Sequence, residues 1–236
     1  MSHIFINHLS SNLDLFHDKT EVNLRFNVSF INGQLMTAFN CFCIPLDRML
    51  KVYPQATMYL SLQEPSDLVD SLKMYEQLSD LLVNHTNHLY LCSNHFFVLQ
   101  QLKKELPNIK IGVPIDKKTN FRFLGEVDFF SFEMNEWPTR AFAYLQPLQQ
   151  LLSAQAAGKE VFLDHCNSPK DFIKYLEIQS ALYRSKVLVM SDCAKNIVPC
   201  FELYRLCEYR MQAYKILTGE PKKEPFKKKA LVNFQN

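Results

Sequence analysis

The stretch Gly158-Lys159-Glu160-Val161-Phe162-Leu163-Asp164-His165, with Ser168-Pro169-Lys170-Asp171 after it and Lys186-Val187-Leu188-Val189-Met190-Ser191-Asp192 further on, decides the fold. Two short apolar runs, Glu160–Leu163 and Lys186–Met190, flank one helix start. The runs are too short for helices and rich in branched or aromatic residues, so they read as buried strands. Ser168 suits a helix cap, Pro169 the first helical position, and Asp171 faces the positive end of the helix. Strand, helix and strand in so short a span imply parallel strands, because a parallel crossover needs a helix-sized connection.

The same alternation extends toward the N-terminus. Further strands are expected at His3–Asn7, Val22–Phe30, Ala56–Leu62, His88–Cys92, Ile109–Val113 and Val127–Phe132, giving eight. Asn32-Gly33, followed by the short run Gln34–Phe39, reads as a tight hairpin. Between strands, Leu68, Leu72, Tyr75, Leu78 and Leu82 mark one helix face, with Pro65-Ser66-Asp67 as its capped start. Phe96, Leu99, Leu102 and Leu106 mark another, stopped by Pro107. A segment from Pro138 to Ala157, broken or kinked at Pro147, ends on Gly158 as a left-handed cap. A last helix runs from about Ile197 to Thr218, with Phe201, Tyr204, Cys207, Met211, Tyr214 and Leu217 on one face. Eight strands alternating with helices fit an α/β chain folded as a (β/α)8 TIM barrel better than an open doubly wound sheet; a strand count other than eight would favour a different fold. Asn12 to Glu21 is too short for a good helix, so the first crossover is expected to be thin. The expected organisation is a barrel over 1–198, a C-terminal helix over 199–220 packed on it, and a basic tail over 221–236.

Composition narrows the class. Hydrophobic residues make up 47% of the 236, with 19 Phe, so a large core is available. The net charge of +2 includes a tail with Lys222, Lys223, Lys227, Lys228 and Lys229 against Glu224. Without that tail's +4 the body stands near −2, which shows no basic footprint for nucleic acid. Lys222–Lys229 could touch an anionic membrane weakly, though a plain solvated tail is the better account of it. The seven Cys, at 41, 43, 92, 166, 193, 200 and 207, form no C-x-x-C pair and are odd in number, so they read as reduced thiols. The start carries no basic-then-apolar leader, and no apolar run approaches a membrane span. The expected location is cytoplasmic.

In a barrel the chemistry sits where strands end and loops begin. The polar residues there are Asn7 and His8; Asn27; Gln63 and Glu64; Ser93, Asn94 and His95; Asp116; Glu133; Asp164 and His165; Ser191 and Asp192. With five glycines there is no phosphate-cradling glycine loop, and neither a G-x-S-x-G nor an H-E-x-x-H motif is present. Each such His or Asp is more often a structural residue or helix cap than a catalyst.

The order of segments resembles the glycerophosphodiester phosphodiesterases and related phospholipase-C-like barrels. Ile4-Phe5-Ile6-Asn7-His8-Leu9 looks like their first strand, which normally ends in His-Arg. Leu24-Arg25-Phe26-Asn27-Val28, with Asn32-Gly33 and Leu35–Asn40, resembles the second strand and its hairpin, and Met58–Gln63 the third. Leu89–Asn94 and Ile109–Pro114 resemble the next strands, Gly158–Asp164 the seventh, and Val187–Asp192 the eighth, which in the family often ends in Thr-Asp. The likeness covers roughly residues 3–198.

The resemblance implies two His as general acid and base, and a divalent metal held by a Glu-x-Asp pair on the second strand and a Glu on the third. Here His8 matches the first His, but Leu9 follows it. The Glu-x-Asp pair is Arg25-Phe26-Asn27, the second His-Asp corresponds to Phe39-Asn40, and the Glu and Lys of the third strand correspond to Ser61 and Gln63. A metal site needs hard anionic oxygens, and Arg25 among them would repel a cation. Arg25 could instead pair with a phosphate or carboxylate, or point outward as a structural residue.

The expectation is therefore a catalytically degenerate barrel, a pseudoenzyme connected with lipid metabolism. It would bind a small anionic ligand or a protein partner at Arg25, Asn27, Gln63, Asp164 and Asp192, with no cofactor. The alternative is an active phosphodiesterase with a rebuilt site: His8 and His165 as the proton-transfer pair, and Glu64 and Glu133 helping Asp164 and Asp192 to hold Mg²⁺ or Ca²⁺.

Overall fold

The computed structural model describes residues 4–7, 23–39, 42–85, 88–115, 125–134, 157–182 and 186–218. Its elements are β1 (Ile4–Asn7), β2 (Asn23–Ile31), β3 (Gln34–Phe39), β4 (Phe42–Pro45), α1 (Leu46–Val52), β5 (Thr57–Gln63), α2 (Leu68–Leu82), β6 (Leu89–Cys92), α3 (Phe96–Glu105), β7 (Lys110–Pro114), β8 (Phe129–Glu133), β9 (Glu160–Asp164), α4 (Pro169–Ala181), β10 (Val187–Ser191) and α5 (Ala194–Thr218). This is an α/β fold built on a curled sheet. Parallel pairings run from β2 through β5, β6, β7, β8, β9 and β10 to β1. β1 pairs again with β2, so Asn7 lies opposite Arg25 and the parallel strands return on themselves.

The regular one-strand, one-helix alternation is not kept. Two antiparallel strands, β3 and β4, extend the sheet from the end of β2, and with α1 they supply the connection from β2 to β5. Asn32 and Gly33 both take positive φ, 51° and 79°, as the tight turn between β2 and β3 requires. β4 has 4 residues and α1 has 7, lengths too short for a hydrophobic period to be legible in sequence. The expected thin first crossover, the expected helix from Pro138 and the basic tail all lie outside the described residues. Gly158, the expected left-handed cap, does have positive φ.

The strands are buried on both faces, as parallel strands are when helices cover them. Leu24, Phe26, Val28, Met58, Leu60, Leu89, Leu91, Ile111, Val113, Phe130, Phe132, Val161, Leu163, Val187 and Val189 share one parity and are all buried. The other parity gives one compact cluster, Tyr59, Tyr90, Cys92, Phe129, Phe162, Leu188 and Met190. Tyr90 and Phe129 meet Phe162 edge to face, each at 5.0 Å, and Tyr59 meets it tilted at 4.9 Å. Gly112 leaves room for the Phe129 ring, which a Cβ there would meet at 2.3 Å. On β9 this parity continues from Phe162 to Asp164, so the residue beyond the aromatic layer is a carboxylate.

Helix α2 starts where expected, and the Asp67 side chain accepts the Asp70 N–H. Its inner face differs from the expected one. Ser71, Met74, Tyr75, Leu78 and Leu82 are buried, whereas Leu68 and Leu72 are exposed. Ser71 can face inward because its hydroxyl donates to the Pro65 and Asp67 carbonyls at 3.1 and 3.0 Å. Phe96, Leu99, Leu102 and Leu106 are buried as expected.

The start of α4 is a full capping box. Ser168 Oγ accepts the Asp171 N–H, and Asp171 Oδ2 accepts the Ser168 N–H at 3.0 Å. Ser168→Ala should cost about 1 kcal/mol in urea unfolding, with Ser168→Asp recovering most of it. Equal stability of all three proteins would show that the cap contributes nothing.

Helix α5 begins at Ala194, three residues before the expected start. Met1–Ile197 and Val198–Asn236 form two compact units. In the second, Phe201 and Tyr204 are half-buried and Leu203 and Leu206 exposed. Among the described residues no helix is long and apolar enough to cross a membrane.

Candidate functional site

Arg25, the third residue of β2, points inward opposite Asn7 at the end of β1, and its side chain reaches Asp164, the last residue of β9, and Asp192 after β10. Arg25 Nη1 donates to Asp164 Oδ1 and lies 3.8 Å from Asp192 Oδ1. Arg25 and Asp164 are 8% and 6% exposed, so the pair is shielded from water. Arg25 is therefore not outward-facing. Its guanidinium lies against two carboxylates, and its Nε is buried with no hydrogen-bond partner.

Both carboxylates are also held from the protein side. Asp164 Oδ1 accepts the His165 N–H at 2.7 Å. Asp192 Oδ2 accepts from the Asn167 side-chain amide at 3.3 Å, and Asn167 Oδ1 in turn accepts the Asp192 N–H at 2.7 Å and the Ser191 hydroxyl at 3.2 Å. Asn167 was not singled out from sequence. It is a lone polar loop residue, and only the tertiary fold shows that it joins the ends of β9 and β10.

His165 has φ 61°, uncommon for a residue with a side chain. That turn lets its backbone N–H reach back to the preceding carboxylate. Its Nδ1 is buried, 3.4 Å from Asp164 Oδ1. Burial pushes the Asp164 carboxyl above the usual carboxylate range, although Arg25 and His165 pull it down; the Asp192 charge adds to the rise. Deeper in, burial pushes the Cys92 thiol up to about 12 and raises the Tyr59 hydroxyl too, so both stay neutral under the site.

The remaining candidates are spread around the strand ends. Asn27 is half-buried, one inward step beyond Arg25 and opposite Ser61. Gln63 is exposed and accepts from Ser29 Oγ at 2.7 Å. Glu64 Oε1 accepts from the Tyr75 hydroxyl at 2.8 Å and from the Ser93 hydroxyl, while Ser93 Oγ accepts the His95 N–H at 2.8 Å. Glu64 thus ties the end of β5 to α2 and to the start of α3. Glu133 is exposed at the end of β8, in register with Asp164. His8 and Asp116 lie outside the described residues. The structure brings Arg25, Asp164, His165 and Asp192 together, and places Gln63 and Glu64 in separate hydrogen-bonded groups.

No protein-family profile matches the sequence, and no curated protein is similar enough to stand as a relative. Solved structures do match. A candidate glycerophosphodiester phosphodiesterase from Galdieria sulphuraria is 13% identical, with a TM-score of 0.61 over 85% of this chain and 97% of that one. An Oleispira antarctica phosphodiesterase, solved in complex with the product sn-glycerol-3-phosphate, is 13% identical, with a TM-score of 0.59 over 82% of this chain and 94% of that one. A glycerophosphoryl diester phosphodiesterase from Parabacteroides distasonis is 6% identical, with a TM-score of 0.53 over 84% of this chain and 87% of that one. The curled sheet has the fold of these phosphodiesterase structures.

A divalent cation does not fit the strand-end residues as they stand. The guanidinium already lies against both Asp164 and Asp192. Among the described residues, no three His, Cys, Asp or Glu side chains come together to hold a metal ion.

Proposed function

We propose that this chain is a degenerate barrel of the glycerophosphodiester phosphodiesterase type, a cytoplasmic pseudoenzyme whose strand-end mouth binds and does not hydrolyse. The Arg25–Asp164 ion pair carries this reading. Phosphodiester cleavage needs negative charge offset at the phosphate and proton donors and acceptors on either side of it. In this mouth the buried Arg25 guanidinium is turned onto carboxylates. The same geometry bears on the binding role. Asp164 and Asp192 beside the guanidinium would repel a phosphate dianion. A weakly charged ligand or a protein partner suits the mouth better than a highly charged one.

The test is a screen of glycerophosphodiesters with Mg²⁺, Ca²⁺ and Mn²⁺. No release of glycerol phosphate above buffer is expected. Metal-dependent turnover that disappears in His8→Ala would sink the proposal and revive the rebuilt-site alternative.

A further inference from the structure

We infer that α5 and the lysines that follow it form an element that lies on an anionic lipid surface, with Leu203 and Leu206 entering the headgroup layer and Lys222–Lys229 meeting its charge. The inference is independent of whether the strand-end mouth hydrolyses anything. Lysines alone hold a chain to a lipid surface only weakly, and stable attachment takes an apolar contribution as well. The structure supplies that contribution. From Glu202 to Glu208 every residue of α5 except Tyr204 is exposed. Leu203 is 64% and Leu206 57% exposed, and Cys207 beside them is exposed too. In the sequence the same helical spacing runs on through Arg210, Tyr214 and Leu217. A helix takes most of its stability from burying an apolar face, and this face of α5 is left open by its own chain.

Charge says what covers it. Val198–Asn236 carries eight Lys and Arg against four Glu, a net +4, whereas Met1–Ile197 stands at −2. Five of those eight are Lys222, Lys223, Lys227, Lys228 and Lys229, soon after the helix ends at Thr218. A second copy on the same face would set +4 against +4. A nucleic acid would meet the lysines and leave the leucines in water. An anionic lipid surface satisfies both, because its headgroups attract the lysines and its acyl boundary takes up the leucines. The exposed apolar group on α2 differs in this respect. Leu68, Val69 and Leu72 stand beside Asp67 and Asp70, which an anionic surface repels.

The experiment is flotation of the full chain with vesicles of phosphatidylcholine, alone or with about a third phosphatidylserine, at about 0.1 M and about 0.5 M NaCl. The parent should float with the phosphatidylserine vesicles only, and less at the higher salt. Lys222→Gln/Lys223→Gln/Lys227→Gln/Lys228→Gln/Lys229→Gln should weaken binding about a hundredfold or more. Leu203→Gln/Leu206→Gln should weaken it about tenfold or more. Leu68→Gln/Leu72→Gln should bind as the parent does. A parent that ignores both kinds of vesicle, or binds them equally, would overturn the inference. So would Leu203→Gln/Leu206→Gln binding like the parent, which leaves the lysines acting alone, or an equal loss from Leu68→Gln/Leu72→Gln. Leu203 and Leu206 are exposed, so replacing them should leave the urea midpoint unchanged. A large drop, or a parent dimer that Leu203→Gln/Leu206→Gln dissolves, would show the face already covered and would equally refute the lipid contact.

Discussion

Asp164→Ala should destabilise the protein by about 3–5 kcal/mol in urea unfolding at neutral pH, and Arg25→Met by a similar amount. Each change leaves the opposite charge buried without its bonded partner, since the two residues are 6% and 8% exposed, and Arg25 would keep only the longer 3.8 Å approach to Asp192. The size of the effect does not mean that the pair stabilises the fold overall, because taking both charges out of water costs about as much as their attraction returns. The carboxyl of Asp164 shows that cost directly: burial raises it despite the neighbouring guanidinium. A raised carboxyl favours the protonated folded state. Its contribution to stability is therefore present at low pH and lost as pH rises through the folded pKa, above the ordinary carboxylate range. Removing Arg25 removes a downward pull, so Arg25→Met should gain more stability than the parent when the pH is lowered from 8 toward 5. An Arg25→Met loss of the same size at both pH values would mean that the guanidinium does not act on Asp164.

Gly112→Ala should be nearly as damaging, although it adds one methyl group. The new Cβ would stand 2.3 Å from Cε2 and 2.4 Å from Cδ2 of Phe129. That ring cannot simply step aside, because Tyr59, Tyr90 and Phe162 pack around it at centroid distances of 5.7, 5.5 and 5.0 Å. Overpacking of this kind costs about 1–3 kcal/mol or more. Phe129→Leu should relieve the clash, so the Gly112→Ala/Phe129→Leu protein should be more stable than the sum of the two single losses implies. Strict additivity would place the Phe129 ring elsewhere. The methyl group would also disturb the layer on which Asp164 stands, two residues beyond Phe162.

Local chemistry was legible in the sequence and long-range pairing was not. The β9–α4–β10 unit could be read because its strands are short apolar runs and its capping box is written in Ser168 and Asp171. The Asn32-Gly33 turn was equally local. Helix α2 shows where the apolar pattern misleads: Leu68 and Leu72 share a spacing with Leu82 yet face solvent, while Ser71 turns inward by bonding backbone carbonyls. On β2 the sequence alternates Leu24, Phe26 and Val28 with Arg25 and Asn27, but a strand buried on both faces does not reveal which set lines the interior. The curled sheet answers that by setting Arg25 beside Asp164, 139 residues away. No spacing rule reaches across such a separation. Asn167 stayed hidden for the same reason, since its partners follow it by more than twenty residues on another strand.

A double-mutant cycle on Arg25 and Asp164 tests the central claim most directly. Stabilities of the parent, Arg25→Met, Asp164→Leu and the double variant give the energy with which the two side chains interact in solution. The account predicts two strongly destabilised single variants, a double variant close to the parent, and a coupling of about 2 kcal/mol or more. A coupling near zero, with the two losses simply adding, would mean that Arg25 does not neutralise Asp164, and the strand-end mouth would have to be understood without a resident cation.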